Sequence, residues 1–331
     1  MKKKYQNGFF IFGIAVLIIM VTQLDFREAW QGLRRAGYWF FAVIALWGVL
    51  YIFNTKAWMI IIRSLQKDTT DKPISFWWLY KMTISGFAIN YATPGGLMGG
   101  EPYRILALSP KIGTEKATAS VILYVMTHIY SHIWFWLLSV FLYVITQPVN
   151  VFMGMILTAV TVFCLFCIWF FNKAYRNGLA MPVMKILQHL PGLKKWAHSL
   201  MEKNIDRIRL IDQHTTILRQ QKPIRYLGAI LVELFTRFAS ALEIMFVLLL
   251  IMPDVNYIQC VLILAFTSLF ANMLFFMPLQ LGGREGGFLM SVGGLGMSAS
   301  AGIFVALIIR IRELIWTAIG LLLIKLEKKS K

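Results

Sequence analysis

Acidic side chains are scarce in this sequence: 15 Asp and Glu stand against 33 Lys and Arg in 331 residues, and the four charged types together make up only 15%. So thin a charge cover cannot solvate a soluble domain whose residues are 58% hydrophobic. Cysteine is nearly missing too, and three thiols exclude a disulfide framework. Cys164 and Cys167 have CxxC spacing, but TVFCLFCIWFF offers a redox or zinc site no polar partners, so they read as small apolar fillers. No G-x-x-x-x-G-K-[ST] occurs, and the glycine runs follow apolar helical arms instead of strands, which excludes P-loop and Rossmann nucleotide sites. No stretch alternates with period two, so a membrane barrel is excluded as well.

Long apolar runs are what the chain does have. They lie near 9–24, 37–62, 117–146, 149–171, 226–252, 255–277 and 299–324. Most reach the roughly 20 residues a helix needs to cross about 30 Å of hydrocarbon. Where water is absent the backbone must satisfy itself, so the expected fold is all-α, a polytopic membrane helix bundle. MKKKYQNG precedes the first run without a small-residue cleavage site after it, and reads as the flank of an uncleaved first span. The net charge of +18 does not indicate nucleic acid, because the basic residues collect at the ends of apolar runs and in one polar stretch. That is the positive-inside pattern, reinforced by anionic lipid.

The polar stretch divides the chain. Residues 172–225 carry eleven basic side chains against three acidic ones, and Met201, Ile205, Ile208, Thr215 and Leu218 recur at helical spacing, as in a helix lying on the cytoplasmic membrane surface. REAWQGLRRAGYW is a shorter stretch of the same kind. The expected organisation is therefore a first membrane half over 1–171, the basic segment over 172–225, and a second membrane half over 226–331. With the N-terminal lysines, the basic segment and the KLEKKSK tail all inside, the count closes with about six full spans plus two re-entrant hairpins of opposite orientation, near 76–112 and near 255–298. Arg27, Arg34 and Arg35 run against this count, since they fall in an outside loop.

Each hairpin contains a break. The first reads TPGGLMGGEPYR and the second MPLQLGGREGG. Pro94 and Glu101 have the same separation as Pro278 and Glu285, with a glycine pair ahead of each acid, Gly99–Gly100 and Gly282–Gly283. Each follows an apolar arm with an asparagine near its end, ISGFAINYAT and FANMLFFM. Matched breaks in opposite orientation are the mark of an inverted repeat, on which many transporters are built. Proline and paired glycines interrupt a helix, and at membrane depth that is tolerated only where the backbone is buried in protein or faces water. The restarting helix would offer free N–H groups and a dipole to an anion such as phosphate.

Charges near the breaks should line the resulting polar cavity, because a charge in hydrocarbon costs a few kcal/mol or more. Glu101 and Arg104 share a face, whereas Arg284 and Glu285 are adjacent and point apart. Glu233 and Arg237 stand one turn apart in the favourable order for an ion pair. Arg310 and Glu313 share a face in FVALIIRIRELIWTAIG, beside Arg312, and Glu243 lies further along its own run. These groups fit a structural ion pair and a substrate contact equally. His128 and His132 are one turn apart, but Ile129 stands where HExxH has its acid and no third ligand is evident, so they read as packed or hydrogen-bonded side chains. No metal, catalytic constellation or cofactor is expected.

NYATPGGLMGGEPYR, MPLQLGGREGG and RIRELIW resemble the membrane domain of lysylphosphatidylglycerol synthases and its stand-alone, flippase-like relatives. The resemblance covers nearly the whole chain and implies a bundle that moves or handles a lipid with a charged or phosphate head group, an anionic or aminoacylated phospholipid included, in the cytoplasmic membrane of a bacterium. It carries over to Pro94, Gly100, Glu101 and Arg104, to Pro278, Gly283 and Glu285, and to Arg310. The second motif departs from the usual pattern, with Leu279 and Gln280 following the proline where a small residue is common. With the chain ending at Lys331, no aminoacyl-transferase domain and no synthase activity are expected. The leading expectation is a lipid translocase in which Glu101, Arg104, Arg284 and Glu285 bind or gate and Glu233, Arg237, Arg310 and Glu313 complete the cavity, with Glu101 as proton carrier if ions drive it. An intramembrane lipid transferase and a small-solute or ion transporter are the alternatives.

Overall fold

The computed structural model describes residues 26–66, 73–92, 99–178, 223–252, 254–273 and 283–326 as continuous stretches, and scattered positions within 7–18 and 181–216. Pro94, Pro278, Gly282, most of the first apolar run and most of the basic segment lie outside the described residues. The described residues form a bundle of α-helices with no strand: α1 (Phe26–Leu65), α2 (Phe76–Ala92), α3 (Gly100–Ile112), α4 (Thr114–Thr146), α5 (Val151–Asn177), α6 (Pro223–Leu248), α7 (Tyr257–Met273), α8 (Gly283–Gly294) and α9 (Ala299–Leu326). A helical membrane bundle is the architecture expected from the apolar runs.

Among the described residues three segments, Ala36–Leu65, Thr114–Thr146 and Val151–Lys173, are long and apolar enough to cross a membrane on length and composition alone. α6 and α9 have the length but each carries three charged residues within its apolar stretch, Glu233, Arg237 and Glu243 on one and Arg310, Arg312 and Glu313 on the other. α1 breaks at Gly37, whose φ of 49° and ψ of −134° leave helical geometry, so the REAWQGLRRA turns are set off from the span that follows. α3 and α4 are joined by Gly113 alone, at φ 83°, with its N–H on Ser109 O. Asn150 starts α5 as its N-cap, accepting from Met153 N at 2.8 Å.

α1 packs along α6 and α2 along α9, which ties the first half of the chain to the second, while α4 touches α1, α3, α5, α6 and α7. α2 pairs with α3, and α7 with α8. α5 is peripheral and exposes Phe163, Phe166 and Trp169, as a lipid-facing helix should. Buried apolar side chains fall into two large clusters. One surrounds the first pair with Ile62, Leu79, Tyr103 and Leu108, and the other surrounds the second with Ile244, Ile263, Phe288 and Val305. The buried charges lie among these packed helices.

Candidate functional site

An asparagine ties the end of α2 to the start of α3. Asn90, near the end of α2, accepts from Gly100 N at 2.6 Å and donates to Glu101 Oε1 at 2.9 Å. The N-terminus of α3 is thus occupied from within: one leading N–H is capped, and a carboxylate sits in the first turn. Gly86 and Gly100 let α2 and α3 approach to backbone contact, since a Cβ on Gly100 would strike Gly86 O and a Cβ on Gly86 would strike Arg104 Nε. The glycines therefore serve close packing as much as breaking.

Arg104 lies one turn into α3 and is only 1% exposed. Its Nη1 meets Glu101 Oε1 at 3.3 Å, as their spacing predicts, and Nη2 reaches Thr83 O at 3.4 Å. The guanidinium is otherwise boxed by rings, with Phe87 at 4.8 Å, Tyr124 at 5.4 Å and Trp58 at 5.7 Å from its centre. Aromatic faces offset part of the cost of burying that charge.

Glu233 and Arg237 do not form the direct pair their spacing suggests, because His128 of α4 stands between them. Glu233 is fully buried; both its oxygens accept from Asn54 Nδ2, at 3.0 and 3.1 Å, and its Oε2 lies 2.8 Å from His128 Nδ1. Arg237 Nη2 contacts the same imidazole, 3.0 Å from Nδ1 and closer to Nε2. A carboxylate only accepts, so Nδ1 carries the proton in its contact with Glu233.

On α9 the structure selects Arg312 over Arg310. Arg312 grips Glu243 of α6 through two bonds, Nε to Oε1 at 2.7 Å and Nη2 to Oε2 at 3.0 Å. Trp47 covers it at 4.0 Å, and Glu313 Oε1 lies 3.9 Å from Nη1. Arg310 is half-buried and does not face the cavity wall. Residues two apart on a helix diverge by about 200°, so the two arginines of RIRE do not both face the cavity.

Together these groups line a cavity of about 230 Å³. Asn90, Glu101 and Arg104 enter it from the first helix pair, and Thr267, Ser268, Ala271, Asn272 and Phe288 from the second. Arg237, Glu243, Arg312 and Glu313 complete it with His128 and His132, whereas Glu233 sits behind His128. Gly99 and Gly100 are buried. Gly283, Arg284 and Glu285 begin α8, and their side chains lie outside the described residues. Glu101 Oε2, His132 Nδ1, Arg237 Nε and Arg312 Nη1 are buried with no hydrogen-bond partner among the described residues.

Sequence reasoning left Asn54 and Asn90 out of the site, read His128 as a packed or hydrogen-bonded side chain, and counted Glu243 and Arg312 among the cavity charges without assigning them a part in binding. Each is a polar side chain inside an apolar run, which is the available signal, but which partner it meets depends on helix packing.

The family model described as "Lysylphosphatidylglycerol synthase TM region" matches residues 8–320. No curated protein and no solved structure matches.

Proposed function

The chain belongs to the lysylphosphatidylglycerol synthase TM-region family, and from that premise we propose that it is a lipid translocase for phospholipids with charged head groups. The family ties the chain to a membrane and to lipid handling. The observation that carries the finer reading is the cavity itself: acids and bases from α3, α6 and α9 converge with polar side chains of α7 on one space inside a membrane bundle, with donor and acceptor atoms left unpartnered among the described residues. Such groups are expensive in hydrocarbon and mark a pathway or binding site.

In this reading α2–α3 and α7–α8 are two re-entrant hairpins of an inverted repeat, entering from opposite leaflets. The head group crosses among Glu101, Arg104, Arg237 and Arg312 while the acyl chains stay in lipid. A carboxylate oxygen serves an amine and the guanidinium N–H groups serve a phosphate, so anionic, zwitterionic and aminoacylated phospholipids all suit the lining.

The test is reconstitution into liposomes with a head-group-labelled phospholipid in one leaflet. Wild type exchanges the label between leaflets, and Glu101→Gln and Arg104→Ala slow it at least about tenfold, the loss of about 1.4 kcal/mol from one charged contact. Equal exchange in all three overturns the assigned roles. A chemically altered lipid after incubation would favour a transferase instead, and solute uptake without lipid exchange a solute transporter.

A further inference from the structure

REAWQGLRRA, in the first turns of α1, holds three arginines against one glutamate and takes no part in the cavity. The apolar span of α1 begins at Ala36, and the helix breaks at Gly37. The turns before that break therefore lie just beyond the end of a membrane span, at the level of lipid head groups.

These turns have two unlike sides. Gly32 and Ala36, one turn apart, are buried, and a Cβ on Gly32 would strike the Leu307 side chain of α9. Arg27, Trp30, Gln31 and Arg34 recur at helical spacing and are exposed. Trp30 is 58% exposed, and the Arg34 guanidinium stands 5.3 Å over its ring. Past the break Tyr38 is 92% exposed, and Phe41, Ala45 and Val49 follow at three- and four-residue spacing, exposed as well. Along its length α1 thus presents guanidinium groups, then an indole and a phenol, then an apolar stripe. A phospholipid presents the matching order, from phosphate through the interface to the acyl chain.

We propose that the first turns of α1 are a docking site for the head group of an anionic phospholipid, whose acyl chain lies along Phe41, Ala45 and Val49. The site is separate from the cavity and does not depend on the translocase reading. Arg27 and Arg34 donate to phosphate oxygens, and Trp30 sits between the two guanidinium groups in the interfacial zone that suits its ring. A zwitterionic lipid offers the same phosphate, but its own ammonium cancels the attraction to a basic segment, so the site prefers a net negative head group. Such a lipid also gives a reason for basic residues that the positive-inside pattern leaves unexplained, because its phosphate supplies a counter-charge in whichever leaflet the segment meets.

The experiment introduces a photoreactive residue, Gln31→benzoylphenylalanine, on the exposed side beside Trp30. The protein is held in nanodiscs of phosphatidylcholine with a minority of phosphatidylglycerol of the same acyl chains. After irradiation, mass spectrometry of the adducts identifies the lipid at the site. Phe163→benzoylphenylalanine, at an exposed apolar position of α5, supplies the reference. Phosphatidylglycerol is expected to be enriched at position 31 over position 163 by at least about fivefold, the effect of about 1 kcal/mol for one arginine near anionic lipid. Arg27→Gln with Arg34→Gln should bring the two positions level while leaving the adducts at 163 unchanged, which shows that the bundle is intact. Arg27→Lys with Arg34→Lys should keep most of the enrichment. Equal ratios at the two positions, or enrichment that survives in the glutamine variant, overturns the proposal. So do adducts at 31 to a second copy of the chain in place of lipid, or no lipid adduct there at all.

Discussion

Asn90 and Glu101 meet across the break in the first helix pair, the amide of one donating to the carboxylate of the other at 2.9 Å while its carbonyl caps Gly100 at 2.6 Å. One side chain therefore joins the two helix ends and orients the acid. Asn90→Leu removes both bonds, leaving a buried N–H open and one Glu101 oxygen to Arg104 alone. The expected loss is about 1–2 kcal/mol, as for an N-cap and an interhelical bond in a membrane. Thermal unfolding in detergent measures it, and an unchanged midpoint would show that the elbow does not depend on this bond.

Close approach of α2 to its neighbours predicts an order among glycine substitutions. Gly100→Ala drives a methyl into Gly86 O and to 2.9 Å from Asn90 Oδ1, and Gly320→Ala drives one into Ala88 Cβ and to 2.9 Å from Ile84 O. Backbone cannot yield as a side chain can, so both should be strongly destabilising, by about 1–3 kcal/mol or more. Gly228→Ala and Gly293→Ala meet nothing within 4 Å and should stay within about 1 kcal/mol of wild type. Melting temperatures of the four variants check the order.

Glu243 and Arg312 form a buried, two-bond pair between α6 and α9, 3% and 2% exposed. Removing one partner strands the other, so Glu243→Gln should cost about 3–5 kcal/mol. Replacing both, as Glu243→Gln with Arg312→Met, removes the stranded charge and should cost less than the sum of the single changes. Additive losses in that double-mutant cycle would mean the two side chains do not act as a unit.

How far such pairs can be read in advance is clear from α9. That FVALIIRIRELIWTAIG forms a membrane helix with inward charges is legible from its apolar run and its three interruptions. Which arginine points inward is not, because the helix phase is set by packing against α2 and α1, far away in sequence. The same limit applies to Glu233 and Arg237: their one-turn spacing is visible, but His128, which separates them, comes from a helix more than 100 positions earlier. Local devices fared better, since Glu101 and Arg104 interact within one helical turn.

The contrast within RIRE also makes a functional prediction. Arg310→Gln alters a half-buried side chain outside the cavity wall, whereas Arg312→Gln alters its lining and unpairs Glu243. Leaflet exchange should stay within about twofold of wild type in the first and fall at least about tenfold in the second, the change that about 1.4 kcal/mol produces. The reverse order would place the working arginine on the other face of α9.

The second helix pair can be tested without touching a charge. Ala271 of α7 is 2% exposed and lines the cavity opposite the first elbow. Ala271→Phe puts a ring into the shared space while leaving Glu101, Arg104 and Arg312 chemically intact. The cavity of about 230 Å³ lies beside this position, so the fold should persist at a cost of no more than about 1–3 kcal/mol. A head group entering the same space could not then pass, and leaflet exchange should drop at least about tenfold while the protein still melts cooperatively. If exchange continued in a folded Ala271→Phe protein, lipid would be passing elsewhere, and the charged lining would have to be read as bundle architecture alone.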